Sequence, residues 1–496
     1  MPISTPHPKY AEMLPQWKRC RAAVGGRDSI HKAGTAILPK IDGQDDATYK
    51  RYQERADYYN ASGRTVEGYT GMLMRKEPVI ELPAAMEYLV EDVDGGGTHI
   101  DTFLEALAQE LIVVSRAGIL SDMPIKPDVE LTVAQTEQLG LVPRLHLYTA
   151  ESILNWRTGR DASGKHVLTM VVLQELATLP NPDDPWADKV ETQYRVLDLD
   201  GGIYRVRVFA ERDKVEQQIG PDVYPQKNGV PMDFIPFNII GPKGRSIDPV
   251  KPIILDLVDT NLGHYRKSAD YGHGLHFTAL PTAVITGHQA QADDDFQGPN
   301  GQKAQDEQWV IGSANAWVFP SKDTQVSFLE FQGTGLGALK SALDDLKGEM
   351  ATLGARVLAP EKRAAEAAET AAIHRSGESS VLGGIALSLD REVRWNLNIT
   401  CEWSNQPASA SVRMNKQFMD WTLSSQEITA LVGALQAGTI SSETFYFNMV
   451  RGQVMDSGTT YDEEQERIAK DQADALARVP AGTIPIAPSG APGDGE

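Results

Sequence analysis

The chain is expected to adopt an α+β fold. Helix-forming stretches flank a strand-rich middle, two long helical segments frame a second strand-rich block, and the 41% apolar and 23% charged composition is that of a folded soluble chain. At 496 residues it is long enough for about three domains with substantial cores. Cys20 and Cys401 alone provide neither a disulfide framework nor metal-ligand spacing, which fits a reducing cytoplasm.

Residues 8 to 24 read as a helix with Tyr10, Met13, Leu14, Trp17 and Cys20 or Arg21 at helical spacing. A second helix is expected from Asp46 to Met74, interrupted at Gly63 and closed by Glu77-Pro78. Val79 to Leu82 follow as a short strand and 93 to 97 as a loop. Asp101 or Thr102 then caps a helix from Phe103 to Ser115, and Gly118 to Asp122 leave it as a strand after a glycine stop. From 145 to 241 the pattern is strand-like. His166 to Glu175 form one run, and Tyr194 to Leu199 meet Ile203 to Phe209 through Asp200-Gly201-Gly202 as a hairpin with one wet face.

Asp248-Pro249 reads as a helix start, and Ile254, Val258, Leu262, Tyr265 and Ala269 form a stripe along a helix over 252 to 272. Residues 281 to 287 are a strand. An acidic loop through Asp293, Asp294 and Asp295 comes next, with further strands at 308 to 312, 316 to 319 and 326 to 331. Leu336, Leu339, Leu343, Leu346, Met350, Leu353 and Val357 then alternate three- and four-residue steps, the spacing of a narrow seam that packs against other helices. The helix carrying it is about 24 residues and roughly 36 Å long. It breaks near Leu358 because Pro360 lacks a donor and drives Ala359 out of helical geometry. A basic loop precedes a helix from about 364 to Leu397, with Gly377, Gly383 and Gly384 as potential kinks, and then a strand from Asn398 to Trp403. Ser441 to Thr444 cap one C-terminal helix, Asp462 to Glu466 open another, and 479 to 496 read as a disordered tail.

Catalytic patterns are weak. His273-Gly-Leu-His276 lacks the helix-face spacing of a zinc site, Gly377-Glu378-Ser379-Ser380-Val381 lacks the second glycine of a nucleophile elbow, and Gly241 to Ser246 lack phosphate-loop spacing and read as a turn. Trp309 and Trp317 read as core or interface residues of their strands. No catalytic residue, metal or cofactor is expected. No stretch approaches the ~20 apolar residues of a membrane span. The net charge of −21 argues against tight neutralisation of phosphates, although a negative wall suits nucleic acid that must slide past.

Several local strings carry a family resemblance. They are Tyr58-Tyr59-Asn60 through Tyr69 to Glu77-Pro78, Gly118 to Pro124, Ile153-Leu154-Asn155-Trp156, Ser268-Ala269-Asp270, Phe328 to Phe331 through Met350, and Ala368-Glu369-Thr370 through Ser379-Ser380. In this order the chain resembles the tailed-bacteriophage portal protein, in the branch of portal-like proteins grouped under domain of unknown function 4055. The resemblance extends to about residue 470 and rests on order, because none of the strings is a catalytic signature.

That resemblance implies a portal fold. Residues 1–247 and 398–450 would form an α/β wing, 248–280 and 333–358 two long stem helices, and 281–332 a small β-rich clip. Residues 359–367 would form a tunnel loop, 368–397 a kinked helix, 451–478 a helical crown and 479–496 the tail. It further implies a dodecameric ring at a capsid vertex of the virion, assembled in the host cytoplasm. Double-stranded DNA would pass during packaging and ejection, with the large terminase, a head-tail adaptor, the major capsid protein and scaffolding protein as partners, and no membrane. Lys362, Arg363 and Arg356 would contact DNA from the tunnel loop, or be an ordinary solvated loop. Leu336, Leu339, Leu343, Leu346, Met350 and Leu353 would line a stem interface, left exposed in a lone subunit. Asp293, Asp294 and Asp295 would meet a basic partner or simply solvate the clip. Residues 124 to 145 have no assigned role. A different phage connector ring and a soluble multidomain hydrolase remain the competing readings.

Overall fold

A computed structural model of the chain describes residues 2–124, 139–160, 163–181, 184, 186–212, 215–227, 229–279, 282–286, 325–329, 334–354, 368–416, 418, 425–452, 454–455 and 459–477. It divides into two compact units, 1–416 and 417–496. Helix and strand both contribute to the first.

The first unit opens with α1 (Pro8–Val24) and α2 (Gly26–Ala33). Tyr10, Met13, Trp17 and Cys20 of α1 are buried, the stripe expected from their spacing. Arg21, on the same helix, reaches two carboxylates at once, Glu110 at 2.7 Å and Glu151 at 2.8 Å. The expected long helix over 46–74 is two helices, α3 (Asp46–Arg55) and α4 (Ala61–Leu73). The break falls at 56–60 and not at Gly63. Asn60 caps α4 by accepting the Gly63 N–H at 3.0 Å, so Gly63 lies in the first turn. Next come β1 (Val79–Glu81), α5 (Tyr88–Glu91) and α6 (Ile100–Val113). The cap of α6 is His99, whose Nδ1 accepts the Asp101 N–H, two or three residues earlier than the expected Asp101 or Thr102. The chain leaves α6 through Ser115 at φ 58° rather than through a glycine, and Gly118 falls inside the strand that follows.

Two sheets form the body. β2 (Ala117–Asp122), β3 (Arg144–Thr149), β11 (Phe237–Gly241) and β12 (Gly244–Arg245) make a four-stranded sheet in the order β12-β11-β2-β3. The Gly241 to Ser246 stretch is the tight turn expected, with Gly241 opposite Gly244. The second sheet is an antiparallel meander of β4 (Ile153–Arg160), β5 (His166–Pro180), β6 (Asp188–Asp200), β7 (Ile203–Arg212) and β8 (Val215–Val223). Asp200 pairs with Ile203, so the expected hairpin closes on Gly201-Gly202. Its wet face is an ion-pair ladder in which Arg205 and Arg207 share Asp198. β9 (Gln226–Lys227) and β10 (Val230–Pro231) form a small ribbon.

Then come α7 (Leu255–Ala279), a hairpin of β13 (Thr282–Thr286) and β14 (Gln325–Leu329), α8 (Thr334–Thr352) and α9 (Ala368–Trp403). α7 starts at Leu255 rather than after Asp248-Pro249, where Asp248 instead pairs with Lys9. α9 runs unbroken for 36 residues through Gly377, Gly383 and Gly384 and includes 398–403, which sequence reading makes a strand. The β-branched Ile399 and Thr400 stay helical because Leu397 and Cys401 are buried at helical spacing, and the Thr400 hydroxyl donates to the Leu397 carbonyl at 2.7 Å. β15 (Ser411–Arg413) returns to pair with β1.

The second unit contains α10 (Ser425–Gln436), α11 (Ser442–Arg451) and α12 (Tyr461–Ala477). The Ser441 hydroxyl accepts the Thr444 N–H at 3.1 Å, the cap expected from sequence, and Asp462, Glu463 and Glu464 crowd the first turn of α12. The strands expected at 308–312 and 316–319, with Trp309 and Trp317, and the tail from 479 lie outside the described residues.

Candidate functional site

The helix pair α7–α8 is held by the N-terminal helices of the first unit. α7 is amphipathic through most of its length, and its stripe of Ile254, Val258, Leu262, Tyr265 and Ala269 is buried throughout. Polar groups between those residues tie it to the N-terminal helices. Asn261 Oδ1 accepts the Ser62 backbone N–H at 3.1 Å and the Ser62 hydroxyl at 2.9 Å, while its Nδ2 donates to the Tyr59 carbonyl at 2.8 Å. Ser268 donates to the Asp57 carbonyl at 2.7 Å, Tyr52 donates to Asp270 at 2.6 Å, and Arg266 donates to the Ile37 carbonyl at 2.7 Å. The Asn261 and Ser268 bonds satisfy backbone groups exposed by the break between α3 and α4. At Gly272 α7 comes so close to the end of α3 that a Cβ would lie 2.7 Å from the Arg55 carbonyl oxygen.

α8 returns antiparallel along α7. Leu336 reaches Gly274 near one end, Lys347 and Asp344 act on His264 in the middle, and Met350 packs with Leu257 and Ala61 at the other end. Gly354 ends the return against α4. It sits at φ 137°, and a Cβ there would lie 3.0 Å from the Tyr69 hydroxyl, so both backbone and space call for glycine. Where the helices face each other, the ring of His264 is 4% exposed and neither nitrogen finds a hydrogen-bond partner among the described residues. Burial, with Lys347 adding repulsion, lowers its pKa to about 4, so it is neutral near pH 7. The Lys347 ammonium instead lies 5.7 Å from the centre of the Tyr59 ring.

α9 is tied to the four-stranded sheet. Ser388 donates to the Gly241 carbonyl at 2.7 Å, and Asn396 Nδ2 donates to Ser121 Oγ at 3.0 Å. Glu392, 5% exposed, accepts from Asn238 at 3.0 Å, from Arg391 at 2.8 Å and from the Arg245 backbone N–H at 3.1 Å. Burial pushes its carboxyl up, but the three donors outweigh that and hold it below the usual carboxylate range.

The seam residues divide. Leu343 and Met350 are buried by this chain's own α7 and α4 neighbours, so a lone subunit covers part of the stripe that sequence reading leaves bare. Leu336, Leu339 and Leu346 are half-buried, and Leu353 is 46% exposed. Val357, Arg356, Lys362 and Arg363 lie outside the described residues, as do Asp293, Asp294 and Asp295. His273 and His276 both lie on α7, where the His273 ring meets Tyr52 edge-on at 5.3 Å. Ser379 and Ser380 lie within α9. Among the described residues no group of three or more His, Cys, Asp or Glu side chains is placed to hold a metal ion, and no helix is long and apolar enough to cross a membrane.

Sequence reasoning missed Asn261, His264 and Glu392 as the polar anchors of this assembly. Asn261 had one visible signal, a polar residue set between Val258 and Leu262 in an otherwise apolar stripe. Glu392 had none, since its partners come from residues 238 and 245 in a different element.

Residues 253–404 match the family described as Domain of unknown function (DUF4055). The match begins just before α7 and ends just after α9, so it takes in the helix pair, its hairpin and the long helix, and it agrees with the portal-like branch read from the local strings. Among solved structures, the chain is similar to a chain of "Virion of native gene transfer agent (GTA) particle", at 12% identity, TM-score 0.36, covering 85% of this chain and 97% of that one. It is also similar to a chain of "Neck of empty GTA particle computed with C6 symmetry" (12% identity, TM-score 0.38, 82% and 93% covered). A third is in "Neck of native GTA particle computed with C12 symmetry" (11% identity, TM-score 0.38, 86% and 98% covered). Overlays this loose carry no argument about this chain. No curated protein matches it significantly.

Proposed function

We propose that the chain is a portal subunit. Identical copies form a ring at one capsid vertex, double-stranded DNA passes through the ring during packaging and ejection, and terminase and head-tail adaptor dock on it. The observation that carries this reading is the antiparallel pair α7–α8, held at its base by Asn261, Ser268 and Met350 and closed at its far end by the β13–β14 hairpin. A helix pair so anchored, with Leu353 exposed and three leucines half-covered, suits lateral packing against the same pair of a neighbouring copy. In this reading 248–280 and 333–358 are stem, 281–332 is clip, 359–367 is the tunnel loop with Lys362, Arg363 and Arg356 towards DNA, and 451–478 is crown. The chain's charge of −21, repeated around a ring, favours sliding of DNA over adhesion.

Electron microscopy of the purified full chain tests the proposal. End-on views should show a wide ring with an axial pore and countable subunits. A monodisperse 54.2 kDa monomer at high concentration would overturn it.

A further inference from the structure

The five-stranded sheet has an arm. β5 pairs with β4 only as far as Leu173, and β6 pairs with β7 only from Gln193 onward, yet β5 and β6 stay paired with each other out to Pro180 and Asp188. Stretches 176–180 and 188–192 therefore form a two-stranded ribbon roughly 17 Å long, without a ladder partner on either side. In its register Leu176 stands opposite Thr192 and Thr178 opposite Val190, so one face carries these four uncharged side chains. Leu176 is 70% exposed and Val190 61%. At the tip, the Trp186 N–H donates to Asp184 at 2.9 Å, and the indole is 95% exposed. A bare two-stranded ribbon is marginal in water, and a fully exposed indole beside an apolar face marks a surface made for contact.

The same unit carries a recess of complementary character. Between α1 and α2 a groove of about 680 Å³ is lined by Leu14, Pro15, Ala33, Ala36 and Ile37, and Lys18 and Lys32 stand on its rim. Neither lysine is paired with a carboxylate among the described residues, whereas the other two cations there are held, Arg19 by Asp259 and Arg21 by Glu110 and Glu151. Around Trp186 the charges are opposite, with Asp184 and Asp188 flanking it. Within one chain the indole is bare.

We propose that Trp186 seats in the α1–α2 groove of a neighbouring copy of this chain, with Asp184 and Asp188 facing Lys18 and Lys32. The inference rests on the ring reading above and adds an interface to it. The knob and the recess are different surfaces, so in the ring of the reading above the contact runs head-to-tail, each copy giving its indole to one neighbour and its groove to the other. The apolar ribbon face would be covered by the same neighbour.

The test uses the full chain. Copies carrying Ala187→Cys, which keeps the indole, are mixed with copies carrying Ala36→Cys and oxidised; Cys20 and Cys401 are buried and do not compete. A disulfide joining the two kinds of chain is expected. The single variants W186S and L14E are expected to raise the concentration needed for assembly by about ten- to a hundredfold. Circular dichroism of W186S should match wild type, since the indole touches nothing it could unfold. Rings that form in W186S as readily as in wild type, with no cross-link between mixed copies, would overturn this interface and leave the conduit reading standing. Cross-linking within a single doubly substituted chain would overturn it as well. A wild-type chain that forms no rings, with no cross-link between the mixed cysteine variants, would overturn both.

Discussion

Asn261 of α7 and Ser62 of α4 form the joint on which the helix pair stands, since one amide oxygen accepts both the backbone N–H and the hydroxyl of Ser62. The same side chain donates to the Tyr59 carbonyl at 2.8 Å, in the loop between α3 and α4. Both residues are fully buried, so no water stands ready to replace a lost partner.

Asn261→Leu therefore removes the acceptor of two buried donors, the backbone N–H and the hydroxyl of Ser62. The expected loss is about 2–4 kcal/mol of stability, read from the urea midpoint, whereas Ser62→Ala removes one hydroxyl bond and should cost about 1 kcal/mol. Equal losses in the two variants would show that Asn261 is not the joint.

Glu392 gives an acid-side dependence. Its folded pKa is depressed, so its contribution is present above the unfolded carboxylate value of 4.5 and is lost as pH falls through the folded value. Glu392→Gln should lower the thermal midpoint at pH 7 and flatten its decline below pH 4.5, as scanning calorimetry would record. A parallel offset at all pH values would contradict this.

His264 acts in a higher window with the same sign. The unfolded side chain takes up a proton near pH 6.5, but the folded one only near pH 4, so stability falls as pH drops from 6.5 towards 4 and levels off below. In His264→Leu that part of the pH dependence should vanish. Titration of the ring by NMR with a midpoint near 6.5 in the folded chain would refute it.

The seam residues separate chain stability from assembly. Met350→Ala removes a fully buried side chain and should cost about 2–5 kcal/mol in the single subunit. Leu353→Asp, at a half-exposed position, should leave the single-chain stability within about 0.5 kcal/mol while reducing ring formation by light scattering. Unchanged rings in Leu353→Asp would mean that this end of α8 faces water.

The tunnel-loop role of Lys362 and Arg363 is tested by replacing both with alanine. Rings should form normally, while DNA packaging or retention in assembled particles falls. Normal packaging and retention would assign the two cations to solvation alone.

Much of the secondary structure was legible because it depends on periodicity and turn chemistry within a few residues. The α1 stripe, the β6–β7 hairpin on Gly201-Gly202, the α7 stripe and the Ser441 cap all follow from neighbours in the chain. The misread elements were decided by partners far away. The break between α3 and α4 lies at 56–60 because Asn261, some 200 residues on, satisfies the exposed backbone, and 398–403 stays helical because the buried faces of α9 outweigh a β-prone local composition.

By itself the sequence determined the α+β class, the alternating apolar seam of α8 and the strings between 268 and 380 that fall within the DUF4055 region, because spacing and order are properties of the chain alone. Only the tertiary structure decided which seam residues stay available. The antiparallel return of α8 along α7 hides Leu343 and Met350 and leaves Leu353 in water, since burial depends on which surface arrives opposite a side chain and no one-dimensional pattern records that.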